Sequence, residues 1–278
     1  MSIFQAVVLA LVQALTEFLP ISSTAHLFLV PWLFGWGDPG LTFTVAVHAG
    51  TLLGVLLYFL RTWVQLGLAL AGIPFPRGSA PEELQTNRRI FWYLVAGTVP
   101  AALIGALLEK HVETTFRSPV LMGTMLILFA LLMWYAEAKF SATRTIETLS
   151  LADALTIGAA QAVALVPGVS RSGITITAGL FCGMSRAASA RFTFLLSTPI
   201  IAGASAKKVY DLRHAQFADD TLLAFFVGFA VAAVSGYLVI AFLLRYLQTR
   251  TLKIFVVYRI VLGIVVLVLA FLQQGAAR

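Results

Sequence analysis

The chain has 278 residues, 60% of them hydrophobic and 11% charged, with a formal net charge of +7. So apolar a composition excludes an ordinary soluble domain, and the positive excess points to cytoplasmic loops of a membrane protein, with no nucleic-acid partner. The lone cysteine, Cys182, excludes an internal disulfide and a thiolate metal site and reads as a small packed side chain.

Charge-free runs that approach or exceed the length of a bilayer-spanning helix cover Pro39–Leu60, Ile90–Leu108, Ser118–Ala136, Phe192–Ala206, Thr221–Leu244 and Ile260–Ala277. A β-barrel would show short alternating segments instead. No Lys or Arg precedes Arg61, so residues 1–19 lack the basic start of a secretory signal and read as part of the fold. In chain order the pattern predicts two short helical pieces at 2–19 and 23–35, joined at a Pro/Ser break. Spans follow at 41–61, 89–109 and 118–138. Gly72–Arg89, rich in Pro, Gly and charge, reads as a surface loop. A second polar break, Glu137–Ser150, divides the chain nearly in half. Two more short pieces follow, at 151–166 and 172–184, then spans at 189–208, 221–246 and 252–274.

The halves resemble one another. Gln13–Ala14 followed by Pro20 and Ser23 parallels Gln161–Ala162 followed by Pro167 and Ser170. Later, "GTVPAALIGAL" from Gly97 parallels "GFAVAAVSGYL" from Gly228. The expected fold is an all-α polytopic membrane protein, one integral-membrane domain over 1–278, built from repeats at 1–140 and 150–278. Each repeat is a helical hairpin plus three spans. Broken helices with polar residues at the break are tolerated at membrane depth only inside protein or along a cavity, so both hairpins read as re-entrant. Three spans per half make the repeats inverted, an arrangement that commonly places a site where the halves meet. One side of this topology collects 6 Lys and Arg (Lys110, Arg117, Lys207, Lys208, Arg213, Arg278) and the other 11. The positive-inside tendency then puts both termini outside the cytoplasm.

Few ionisable residues interrupt the apolar segments: Glu17, His26, His48, Asp153, Arg171 and Arg259. Each is costly in a membrane and is a candidate for function. In "PGVSRSGIT" (167–175), Gly168 permits unusual backbone, Ser170 and Ser172 add hydroxyls, and a helix starting after the break offers free N–H groups. Arg171 there could bind an oxyanion bidentately. The alternative is an arginine bonded to carbonyls or to Glu17. The stretch is neither a nucleophile elbow nor a P-loop. In "QALTEFLPISSTAHL" (13–27), Gln13 and Glu17 share a helix face, and Ser22, Ser23, Thr24 and His26 follow Pro20. Ser22 or Ser23 could simply cap the next helix. Together, a carboxylate, hydroxyls and an imidazole are the parts of a hydrolytic site. Glu17 could orient His26, accept a proton or ligate a divalent ion. His48 reads as a packing or supporting histidine, Arg259 as a structural partner to a carboxylate or carbonyl, and Asp153 as a stabiliser of a helix start. His111 and His214 carry no signal.

The two stretches together resemble the motifs of the bacterial undecaprenyl-pyrophosphate phosphatases, also called bacitracin-resistance proteins. The first looks like the family's (E/Q)-x-x-x-E and P-x-S-S-T-x-H motifs, the second like its P-G-x-S-R-S-x-x-T motif. The likeness extends over essentially the whole chain. It implies hydrolysis of undecaprenyl pyrophosphate to the monophosphate and inorganic phosphate, recycling the lipid carrier for peptidoglycan synthesis. By that resemblance Glu17, Ser23, His26 and Arg171 are catalytic. It makes Gln13 the position that accompanies Glu17 and puts Ser170, Arg171 and Thr175 in the pyrophosphate loop. With Ser22, Thr24, Gly168 and Ser172, read above from their place at the two breaks, Gln13, Ser170 and Thr175 form the expected substrate-binding set. It also implies Mg²⁺ or Ca²⁺, with Glu17 as a ligand. Gln13 stands where many relatives carry Glu, one carboxylate fewer. The expected partners are a polyprenyl pyrophosphate lipid, the bilayer and a second copy in a homodimer. The expected place is the bacterial inner membrane, with the site open to the extracytoplasmic side. The rival is a polyprenyl-phosphate transporter or flippase without hydrolysis.

Overall fold

A computed structural model describes residues 1–76, 80–115, 118–140, 143–211 and 219–276. The side chains of Lys110, Arg117, Lys208, Arg213 and Arg278, counted above for topology, and of His111 and His214 lie outside those described. Eleven α-helices make up most of the described chain. They are α1 (Ile3–Phe18), α2 (Ser23–Leu33), α3 (Gly40–Tyr58), α4 (Leu60–Leu70), α5 (Pro81–Thr115), α6 (Pro119–Lys139), α7 (Leu151–Val163), α8 (Arg171–Phe181), α9 (Arg186–Asp211), α10 (Asp219–Thr249) and α11 (Lys253–Ala276).

The short helices start where capping chemistry is available. Ser2 and Gln5 form a capping box at α1, and Ser150 and Asp153 form one at α7. Asp153 thus stabilises a helix start, and it also pairs with Arg144 at 2.7 Å. Among the described residues, five helices are long and apolar enough to cross a membrane, within 81–108, 119–139, 186–207, 222–249 and 253–272. A sixth candidate is α3 continued by α4 after a 70° bend. The chain is a multi-pass membrane protein, and the short apolar α1 and α7 are each followed by a break and a second short helix.

Two expectations need correction. The span read at 41–61 ends at Tyr58, and α4 then runs in a new direction through residues assigned to no element. The loop read at Gly72–Arg89 is shorter. Pro81 opens α5, with Glu82 and Glu83 in the first turn, where proline's missing N–H costs nothing and acidic groups suit the dipole.

Helix α3 packs on α10, α6 on α11, α1 on α10 and α5 on α7. The closest approach is between α5 and α7. A Cβ on Gly158 would lie 2.0 Å from the Gly97 carbonyl oxygen, so glycine is required there. Helix α8 is buried from Ser172 to Leu180, and Phe18 of α1 meets Phe194 of α9 edge to face. The outer helices expose Trp92, Leu107, Phe226, Leu238 and Phe271, as a lipid-facing surface requires.

Candidate active site

The two breaks meet. Between α1 and α2 the chain turns at Leu19–Ser22, and between α7 and α8 at Ala164–Ser170. The residue before the second helix of each pair is a serine in the left-handed region, Ser22 at φ 76° and Ser170 at φ 72°. Such a conformation costs a non-glycine residue about 1–3 kcal/mol and persists only where the surroundings enforce it. Gly168 also has positive φ, and a Cβ there would lie 2.5 Å from the Met122 carbonyl oxygen.

One side chain does much of the enforcing. Arg259 is fully buried. It donates to the carbonyls of Pro20 (3.2 Å), Leu126 (3.2 Å), Gly168 (3.0 Å) and Val169 (2.9 Å). The carbonyl partnership read from the sequence is therefore its arrangement, and it ties both breaks to α6 and α11. Ser172 adds a direct link, its hydroxyl donating to the Leu19 carbonyl at 3.1 Å. Arg259→Lys should lower the melting temperature of the purified protein sharply. A single ammonium cannot reach all four carbonyls, and each one left buried and unpaired costs about 1–3 kcal/mol. An unchanged thermal transition would show that the breaks hold without this clamp.

With the breaks held, Arg171 forms an ion pair with Glu17. Glu17 Oε2 also accepts hydrogen bonds from Ser23 Oγ (2.7 Å) and Gln13 Nε2 (3.1 Å). The carboxylate is buried, yet it has a charged donor on Oε1 and two neutral donors on Oε2, as a buried anion requires. Glu17, Ser23 and Arg171 line a cleft of about 290 Å³ together with Ser22, Thr24, Gly168 and Ser170.

His26 and Thr175 are placed differently, and Ser170 serves its own helix as well as lining the cleft. His26 does not line this cleft. Its Nδ1 donates to the Ser22 carbonyl at 2.7 Å, which leaves Nε2 to accept from the Tyr258 hydroxyl at 2.6 Å. The imidazole faces α11 and braces the strained Ser22. Thr175 is fully buried, and its hydroxyl donates to the Arg171 carbonyl at 2.7 Å. Ser170 caps α8 by accepting from Gly173 N at 3.1 Å.

The cleft has further lining residues, and among them the sequence singles out only His48 as an ionisable candidate, read as a packing or supporting histidine. Thr16, Thr44 and His48 line it, with Thr44 Oγ1 donating to Gly40 O and His48 Nδ1 to Thr44 O. Gln161 and Ser205 also line it, and Gln161 Oε1 and Nε2 and Ser205 Oγ have no hydrogen-bond partner among the described residues. For Gln161 a signal existed in its repeat equivalence to Gln13. For Ser205 there was none.

Among the described residues no group of three or more His, Cys, Asp and Glu side chains could hold a metal ion. The local donors nonetheless suit a hard cation that takes part of its shell from a ligand. Glu17 offers a carboxylate, Ser23 a hydroxyl, and Gln13 Oε1 is buried without a partner.

Comparison with known proteins agrees with the motifs. Residues 6–265 match the family model described as bacitracin resistance protein BacA. A protein of Pelotomaculum thermopropionicum named undecaprenyl-diphosphatase is 49% identical over 275 residues, covering 99% of each chain. Proteins of the same name from Moorella thermoacetica and Elusimicrobium minutum are 46% and 47% identical, covering 99% and 98% of this chain and all of theirs. From its first helix to its last, this chain belongs to the bacitracin resistance protein BacA family.

Proposed function

We infer that this protein is a membrane phosphatase that hydrolyses undecaprenyl diphosphate to undecaprenyl phosphate and inorganic phosphate. The activity returns the lipid carrier to cell-wall synthesis, and bacitracin resistance follows from it. Full-length relatives at 44–49% identity carry the name of this activity. The observation that carries the assignment to this site is the convergence of Ser23 and Arg171 on the two oxygens of Glu17 at the wall of one cleft.

The residues suit phosphoryl transfer, which is mostly positioning and charge stabilisation. The Arg171 fork holds the terminal phosphate, displacing the carboxylate it now pairs with. Glu17, released from Arg171, accepts the Ser23 proton as Ser23 Oγ attacks phosphorus. The bond to the bridging oxygen breaks and undecaprenyl phosphate leaves. Water then attacks the phosphoserine phosphorus and leaves, with both its hydrogens, as part of the released inorganic phosphate. The P–O bond to serine breaks, and the proton on Glu17 passes to the serine oxygen. In this scheme His26 is a positioning residue that fixes the Ser22 carbonyl. A Mg²⁺ or Ca²⁺ ion would be held by Glu17, Gln13 Oε1 and phosphate oxygens, and when bound would neutralise phosphate charge.

The finer architecture belongs to the same reading. The halves are inverted repeats, α1 and α2 corresponding to α7 and α8, and α3, α5 and α6 to α9, α10 and α11. The pairing of α1 with α10 and of α7 with α5, the contacts of α3 with α9 and of α6 with α11, and the two positive-φ serines all support this. Both termini and the mouth of the cleft lie on the extracytoplasmic side of the cell membrane.

The test is phosphate release from undecaprenyl diphosphate by purified protein in detergent, where no vectorial transport can occur. Release is expected. Lipid binding without release would favour the transporter reading.

A further inference from the structure

We propose that Gln161 and Ser205 form the contact for the lipid-proximal phosphate, so that the cleft binds both phosphates of a diphosphate, one through a charged residue and the other through neutral donors. The proposal rests on the diphosphatase reading above.

Gln161 comes from α7 and Ser205 from α9, and both line the cleft that also holds Ser23 and Arg171. They are 3% and 8% exposed, and among the described residues neither amide atom of Gln161 nor the Ser205 hydroxyl has a partner. Buried polar side chains rarely go unmatched, and a pair from two helices on one cleft marks a place for a ligand. Two other hydroxyls of the same cleft are already engaged with their own helices. Thr16 Oγ1 donates to Val12 O and Thr44 Oγ1 to Gly40 O.

The repeat explains why Gln161 lacks a partner. In the first half, Gln13 donates to Glu17 four residues on. In the second half the equivalent residue, Leu165, is apolar and also lines the cleft. The amide of the second glutamine therefore has no carboxylate on its own helix. Gln161 Nε2 and Ser205 Oγ are donors, and phosphate oxygens are acceptors. Neutral donors also suit the step that follows. The lipid-proximal phosphate stays on the product, and a cation there would slow its release, whereas the phosphate to be transferred sits on Arg171.

Kinetics of Gln161→Leu and Ser205→Ala with farnesyl diphosphate as substrate, and with farnesyl monophosphate and inorganic phosphate as inhibitors, test this. The inhibition constant of farnesyl monophosphate and the KM for farnesyl diphosphate should each rise about tenfold in Gln161→Leu, the scale of one lost hydrogen bond to a charged group, and by less in Ser205→Ala. Inhibition by inorganic phosphate, which needs only Arg171, should stay within about twofold. Gln161→Leu should melt no lower than the unaltered protein, since it removes an unpartnered buried amide. Unchanged constants for both farnesyl compounds in the two variants would overturn the inference. So would an equal weakening of inorganic phosphate, which would indicate general damage to the cleft. Absence of phosphate release by the unaltered protein would instead overturn the diphosphatase reading on which the inference stands.

Discussion

Glu17→Gln should reduce phosphate release per folded molecule by about a hundredfold or more, the range over which a positioned base contributes. The substitution keeps the shape and removes the charge at the point where Ser23 and Arg171 converge. Ser23 would then face an amide that cannot take its proton. Loss of activity through unfolding is the competing explanation, because breaking a buried ion pair can cost several kcal/mol. Here the Arg171 side chain is 19% exposed and faces a cleft. Solvent and anions reach the charge left behind, so the loss of stability should be smaller than for a dry pair. Added inorganic phosphate should raise the melting temperature of Glu17→Gln more than that of the unaltered protein, since no carboxylate competes for Arg171. Turnover preserved in a stable Glu17→Gln protein would remove Glu17 from the chemistry.

Arg171→Lys should lower hydrolysis at saturating lipid at least about tenfold, equivalent to ~1.4 kcal/mol of transition-state stabilisation. Charge is conserved, but the planar fork that addresses two phosphate oxygens at once is lost. Arg171 is the first residue of α8, directly after the Ser170 cap, so its backbone is held and its side chain leaves at a fixed angle. A lysine from the same position would reach Glu17 or one phosphate oxygen, not two. Near-normal turnover would mean that the arginine serves the Glu17 pair alone.

Much of this arrangement was legible in the sequence because its determinants are local. Pro20 and Pro167–Gly168 interrupt apolar runs, and the structure breaks its helices there. Arg259, a charge several residues inside the last span, demanded carbonyl or carboxylate partners and has four carbonyls. Helix α4 was missed because it follows α3 with no proline or glycine between them. Only the geometry at Phe59 shows the 70° change of direction. The start of α5 was missed for a different reason. Pro81, Glu82 and Glu83 are start signals, but they lie in a stretch whose prolines and charges read as loop. The position of the His26 ring was not legible, since its neighbour Tyr258 lies 232 residues away. Apart from Gln161, the counterpart of Gln13, and His48, the far wall of the cleft was not legible either, because α3, α7 and α9 supply it from distant parts of the chain.

The most direct test of the account is phosphate release from undecaprenyl diphosphate, measured in detergent per folded molecule for the unaltered protein, Glu17→Gln and Arg171→Lys side by side. Steady release is expected from the first, near-background release from the second, and at most about one tenth of the unaltered rate from the third, with all three showing cooperative thermal transitions. Release by both variants at the unaltered rate would contradict the account, because the chemistry would then lie away from the point where Ser23, Glu17 and Arg171 meet.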